Sequence, residues 1–207
     1  MTEFSARLPF TLTDAQKKVC LEISKDFMSG SVMNRLVQGD VGSGKTAVAA
    51  AALYAVWHAG FQGALMAPTE VLARQHYRTF SELFGEAEDG PRIGILTGST
   101  RAKERRELLE KLAQGKVDIL IGTHALLEER VVFSSLALVV TDEQHRFGVQ
   151  QRETLSGKGK QPHVLVMSAT PIPRTLAVIL YGDLDISVID ARPAGRTPIK
   201  NAVIEKK

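Results

Sequence analysis

Gly39-Asp-Val-Gly-Ser-Gly-Lys-Thr46 follows the apolar run Arg35-Leu-Val-Gln38 and opens an alanine-rich stretch that reaches Ala59. It fits GxxxxGK followed by Ser or Thr, between a strand and a helix, where that pattern has a mechanism. Gly42 and Gly44 allow backbone conformations closed to other residues, so successive N–H groups turn inward around a phosphate. The helix that starts near Gly44 adds its positive end. Lys45 is expected to reach the β- and γ-phosphates, and the Thr46 hydroxyl to hold Mg2+. Gly39, Gly42, Ser43, Gly44, Lys45 and Thr46 are thus the expected nucleotide-binding residues. At average composition a chance match in a chain this long is on the order of one per cent, so the stretch is read as a site.

Outward from this loop, short Val/Ile/Leu runs recur at Gly63–Met66, Arg92–Leu96, Val117–Ile121, Leu136–Thr141, His163–Met167 and Ile186–Ile189. Near-continuous apolar runs mark strands buried on both faces, the condition of a parallel sheet. Helices of crossover length lie between them, at Gly44–Ala59, Thr69–Phe84 and Arg101–Gln114. The rhythm predicts an α/β, doubly wound, mainly parallel sheet of about seven strands with helices on both faces.

The chain has 207 residues, 44% hydrophobic and 24% charged, with a net charge of +3. That balance excludes disorder, collagen and coiled coil, and a domain of this size stabilises a core without covalent staples. One cysteine, Cys20, excludes an intrachain disulfide and suits the cytoplasm. The longest strongly apolar stretch, Ala47–Val56, is far too short for a membrane span. The slight positive charge permits a polyanionic partner.

Leu136-Ala-Leu-Val-Val-Thr-Asp-Glu143 is an apolar strand ending in two carboxylates. In open α/β sheets ligands collect at the carboxyl ends of strands, the edge from which the phosphate loop also projects. Asp142 is expected to bind Mg2+, through water, and Glu143 to orient and deprotonate the water that attacks the γ-phosphate of ATP.

With these residues in view, Asp142-Glu-Gln-His145 resembles the DExH box of superfamily 2 helicases and translocases, and Ser168-Ala-Thr-Pro171 their third motif. Ala67-Pro-Thr-Glu-Val-Leu72 is similar to motif Ia, Leu96-Thr-Gly98 to the Thr-Gly motif, and Gly122-Thr-His-Ala-Leu126 to motif Ib. The longer string Asp142–Arg152, with Leu8–Gln16 upstream, resembles the RecG-type branch, ATP-dependent DNA helicases that remodel stalled forks and Holliday junctions. The transcription-repair coupling translocases are the neighbouring branch, but their box usually reads Asp-Glu-Glu-His. A non-enzymatic nucleotide-binding module is the third reading.

The resemblance implies a RecA-like fold, use of ATP and Mg2+, and a branched or double-stranded DNA partner. It implies that Gln16 bonds the adenine edge and that Phe10 packs against the base. Read without it, Phe10 is a core residue and Gln16 lies on a helix surface. Gln144 and His145 are implied to link the nucleotide site to Ser168, Ala169, Thr170 and a second RecA-like domain. That domain, its arginine finger and an N-terminal wedge domain are not encoded here. Residues 1–190 are therefore read as the ATP-binding domain, and 191–207, with its prolines and glycine, as the start of a linker; alone, such a half-motor should turn over little.

Motifs Ia, Thr-Gly and Ib all follow expected strands. Their loops, with Pro68, Thr69, Thr97, Gly98, Thr123 and His124, can offer N–H and hydroxyl donors to phosphate oxygens without reading bases. Arg101, Lys103, Arg105 and Arg106 open the next helix, as a solvated face or as an attractor for the DNA backbone.

Overall fold

The computed structural model describes residue 4 and residues 8–84, 90–142, 149–170 and 184–190. Seven strands form one sheet: β1 (Asn34–Gly39), β2 (Gln62–Met66), β3 (Ile93–Leu96), β4 (Ile119–Gly122), β5 (Leu136–Thr141), β6 (His163–Ser168) and β7 (Asp185–Ile189). Their order is β3-β4-β2-β5-β6-β1-β7, and every pairing is parallel. The helices are α1 (Asp14–Met28), α2 (Lys45–His58), α3 (Glu70–Phe84), α4 (Ala102–Ala113) and α5 (Val149–Ser156), with a 3-10 turn at His124–Leu127. The doubly wound α/β reading holds, and the expected strands and helices fall within two residues of the observed ones. Helix α1 is the one expected around Gln16, and α5 is additional. The capping pair Thr13-x-x-Gln16 was the local signal for α1.

Alternation along the strands divides the core in two. Leu65, Ile119, Ile121, Leu138, Val140, Leu165 and Met167 point to the face covered by α1, α2 and α3. Their neighbours Ala64, Met66, Leu120 and Val139 point to the other face, against Leu112 of α4, Leu126 of the 3-10 turn and Leu155 of α5. A strand with both faces covered has no use for polar alternation, which is why these runs read as continuous Val/Ile/Leu.

The alanines of α2 let it lie close to the sheet with residues 47–54 all buried. The approach is tight: a Cβ at Gly63 of β2 would meet Leu53 Cδ2 at 2.3 Å. Tyr54 at the far end packs against Phe4, Trp57 and Phe84, with ring centroids 5.4, 5.2 and 5.9 Å away.

Helix α1 is tied to the sheet by Arg35 of β1. Its guanidinium donates to Asp26 Oδ2 and Oδ1 (2.6 and 3.0 Å) and to Ser187 Oγ (2.8 Å), with Glu22 and Asp185 carboxylates at 3.6 and 3.7 Å. One buried cation thus joins α1, β1 and β7. Cys20 faces the α1–α2 seam, and burial pushes its thiol up to about 11, the environment of a packing residue and not of a nucleophile. No helix among the described residues is long and apolar enough to cross a membrane.

Candidate nucleotide site and nucleic-acid edge

Because all strands are parallel, their carboxyl ends lie on one edge, and the strand order divides that edge. Strands β1, β6 and β5 are consecutive neighbours. They bring the Gly39–Thr46 loop, Ser168-Ala-Thr170 and Asp142 side by side, with Ser168 level with Gln38. Strands β3, β4 and β2 hold the other half, with the loops at 97–100, 123–127 and 67–70.

In the first half the loop is built on positive backbone angles, φ 80° at Gly42 and 87° at Gly44. Gly44 also caps α2 without a side-chain hydrogen bond, and the first turn of α2 carries no acidic residue. The positive end of the helix is therefore left to an external anion. Lys45, buried among the loop residues, donates from Nζ to the carbonyls of Gly39 (2.6 Å) and Asp40 (3.1 Å). The Ser43 hydroxyl is buried with no hydrogen-bond partner among the described residues.

Gln16 is fastened to this loop. Its Nε2 donates to the Ser43 carbonyl at 2.8 Å, while its Oε1 accepts from Thr13 N at 2.9 Å, closing the capping box of α1. A Cβ on Gly44 would meet Gln16 Nε2 at 2.1 Å, so a larger residue there would push the amide off its bond to Ser43 in addition to straining the positive φ. Gln16 is only 3% exposed whereas Phe10 is 46% exposed. The readings made without the family resemblance are therefore reversed: Gln16 is not on a helix surface, and Phe10 is not core. Phe10 lies in the segment 8–12 that leads into α1, beside Lys17.

Asp142, just past β5, has its N–H bonded to the Met66 carbonyl (3.0 Å). Its carboxylate meets a residue that sequence reading did not single out: His76 of α3, with Nε2 2.6 Å from Oδ2 and both side chains nearly buried. An ionised carboxylate only accepts, so the imidazole donates. On β6, the Ser168 hydroxyl accepts from Thr170 N (3.2 Å) and lies 3.1 Å from Thr170 Oγ1, folding the strand end into a tight turn. Ala169 is half-buried at the centre of that turn. Glu143, Gln144 and His145 lie outside the described residues, as does the expected linker at 191–207.

In the second half, Pro68 and Thr69 are half-buried, and the Thr69 hydroxyl accepts from Leu72 N at 3.3 Å, capping α3. Its own O–H remains a donor. Thr97 and Thr123 are buried, 1% and 4% exposed, and the Thr123 hydroxyl has no hydrogen-bond partner among the described residues. Thr97 Oγ1 bonds Ser99 and Thr100, while Gly98, Ser99 and His124 are what these loops turn outward. Glu70 knits two loops together, accepting from the Ser99 hydroxyl and from Arg74 Nε and Nη2 (2.9 and 2.8 Å). Those donors, Ser99 first, hold its carboxyl below its ordinary range. Arg105 is half-buried, with Nη1 on both oxygens of Glu128 (2.9 and 2.8 Å) and Nη2 on the Thr97 carbonyl (3.3 Å). Its charge braces two loops, while Arg101 at the start of α4 and Lys103 and Arg106 on it stay exposed.

A parallel α/β sheet that carries a glycine-rich loop-to-helix junction and a strand-end aspartate two strands away defines a P-loop nucleotide-binding motor domain. The chain belongs to the DEAD/DEAH box helicase family, whose model matches residues 13–179. It is 56% identical over 200 residues to the ATP-dependent DNA helicase RecG of Bacillus subtilis, covering 97% of this chain and 29% of that protein. The RecG of Streptococcus pneumoniae is 53% identical over 199 residues, again across 96% of this chain and 29% of the relative. Among solved structures, RecG bound to a three-way DNA junction superposes with a TM-score of 0.82 at 47% identity, over 96% of this chain and 26% of that one. The chain thus spans under a third of the length of the relatives it matches.

Proposed function

We propose that this chain is the first motor domain of a RecG-type, ATP-dependent DNA helicase that acts in the cytoplasm on branched DNA. The observation that carries the reading is the division of one sheet edge, with the phosphate loop, Ser168–Thr170 and Asp142 on β1, β6 and β5 and the backbone-contacting loops on β2, β3 and β4. Identity above 50% across nearly the whole chain favours the RecG branch over the repair-coupling translocases and over a non-enzymatic module.

The residues fit a nucleotide triphosphate with its metal. A helix end with no cap and no acid, a buried Ser43 hydroxyl with no partner among the described residues, and positive φ at two glycines form a cradle for anionic oxygens. Lys45 exchanges its two loop carbonyls for phosphate oxygens. Gln16, already bonded to the loop, presents the α1 side of the site to the base, with Phe10 beside it. Thr46 and Asp142 would hold Mg2+, which when bound neutralises phosphate charge and orients the triphosphate. Glu143 takes the proton of the attacking water. Gln144, His145 and Ser168–Thr170 couple this site to a second RecA-like domain, which with an N-terminal wedge domain completes the machine. On the other half of the edge, Pro68, Thr69, Gly98, His124 and the backbones of Thr97 and Thr123 grip the phosphates of a duplex arm without reading its bases.

The test is ATP hydrolysis by the full-length protein with and without fork DNA. The fork should stimulate turnover, and Lys45→Ala should abolish it while leaving fork binding intact. An ATPase indifferent to DNA, or one that survives Lys45→Ala, refutes the reading.

A further inference from the structure

We infer that His76 is the positioning residue for Asp142: it holds one carboxylate oxygen so that the other is presented to the nucleotide's metal. The inference rests on the proposed nucleotide site. The buried stripe of α3 runs Ala73, His76, Phe80, Leu83, Phe84, and His76 is its polar member. A polar side chain in an apolar stripe is costly unless bonded, and here the bond is made to Asp142 Oδ2 at 2.6 Å. The ring is set against Phe80, centroids 6.2 Å apart at 57°, which restricts the directions in which Nε2 can point. Asp142 is held at its backbone by Met66 O and at Oδ2 by His76, which leaves Oδ1 for the metal.

Helix α3 gives this contact a second meaning. Its cap is Thr69, in the loop assigned to the DNA backbone, and His76 lies seven residues on, about 10 Å along the axis. Two turns of regular helix move as a unit, so a displacement of the 67–70 loop carries the imidazole and with it the carboxylate. His76 thereby links the DNA half of the edge to the nucleotide half through one rigid element and one hydrogen bond.

The test uses the full-length protein and two readouts: binding of a fluorescent ATP analogue as Mg2+ is titrated, and fork-stimulated ATPase. His76→Phe fills the space without a donor, and His76→Asn keeps an amide too short to reach. Both should raise the Mg2+ needed for half-maximal nucleotide binding by tenfold or more, the usual effect of removing a partner behind a metal ligand, and leave affinity without Mg2+ unchanged. His76→Gln, whose Nε2 reaches the same oxygen, should restore most of the wild-type Mg2+ requirement and most of the stimulation. An unchanged Mg2+ requirement in His76→Asn, or His76→Gln as impaired as His76→Asn, overturns the assignment while leaving the nucleotide site standing. Failure of the wild-type protein to bind nucleotide at any Mg2+ concentration overturns both.

Discussion

Gln16 is the residue whose replacement should separate the stability of α1 from the function of the phosphate loop. Its side chain makes two bonds from a buried position, accepting from Thr13 N at 2.9 Å and donating to Ser43 O at 2.8 Å. Gln16→Ala removes both and leaves a buried carbonyl and a helix-end N–H without partners. At about 1 kcal/mol for each lost bond, with an added penalty for the buried carbonyl, the expected cost is about 2–3 kcal/mol. In a domain of this size that lowers Tm by roughly 4–12 °C. Gln16→Glu is the sharper variant. Its carboxylate keeps the bond to Thr13 N at a helix N-terminus, where negative charge is favourable. It cannot donate to Ser43 O, and sets an anionic oxygen against that carbonyl. Gln16→Glu should therefore unfold closer to wild type than Gln16→Ala, yet bind nucleotide about tenfold more weakly, which corresponds to about 1.4 kcal/mol. Thermal denaturation and fluorescent-nucleotide titration measure the two effects. A Gln16→Glu protein that binds nucleotide as tightly as wild type would refute the claim that this bond orders the loop. A Gln16→Ala protein with an unchanged Tm would refute the claim that the pair stabilises the fold.

Two further perturbations test the frame around the site. Arg35→Met leaves Asp26 and Glu22 without their cation between α1 and the sheet and should cost about 3 kcal/mol, the low end for a broken buried pair because both carboxylates keep some solvent; denaturant titration measures it, and a change within about 0.5 kcal/mol would show the cluster to be idle. His163 accepts from Met33 N at Nδ1 (2.9 Å), and burial, opposed by Asp26, lowers its pKa from 6.5. The unfolded chain then takes up the proton first, so the stability from this group is complete above pH 6.5 and falls as pH drops through 6.5 toward the lower folded value. His163→Asn, which keeps an acceptor and cannot titrate, should flatten that decline, as Tm measured from pH 7.5 to 5.5 would show; an identical slope in the variant sinks the assignment.

The legible parts of this chain are those whose physics is local. A loop of this pattern needs only its own amides to hold a phosphate, so Gly39–Thr46 could be read as a candidate site before any fold was known. Strand and helix periods are likewise local, and the expected sheet and the alanine-rich α2 followed from them. What escaped reading depended on neighbours distant in the chain. Gln16 looked like a surface residue because nothing near it in sequence buries it; Ser43, 27 residues on, does. Thr97 and Thr123 looked like exposed hydroxyls in polar loops, but sheet packing turned them inward. Arg105 looked like one charge in a basic run until Glu128, 23 residues on, claimed it.

The sequence by itself determined the chemistry available: a phosphate loop, a strand-end acid, a Ser-Ala-Thr turn and several short polar loops, each a contiguous device whose function needs few outside contacts. Only the tertiary structure decided how these are shared out along the edge. The order β3-β4-β2-β5-β6-β1-β7 sets the expected nucleotide residues on β5, β6 and β1 and the loops proposed for DNA on β3, β4 and β2, and it brings His76 to Asp142 across 66 residues of chain. Strand order is chosen by which crossovers let both faces of the sheet be covered, a property of the whole packed domain. No single stretch of residues carries it.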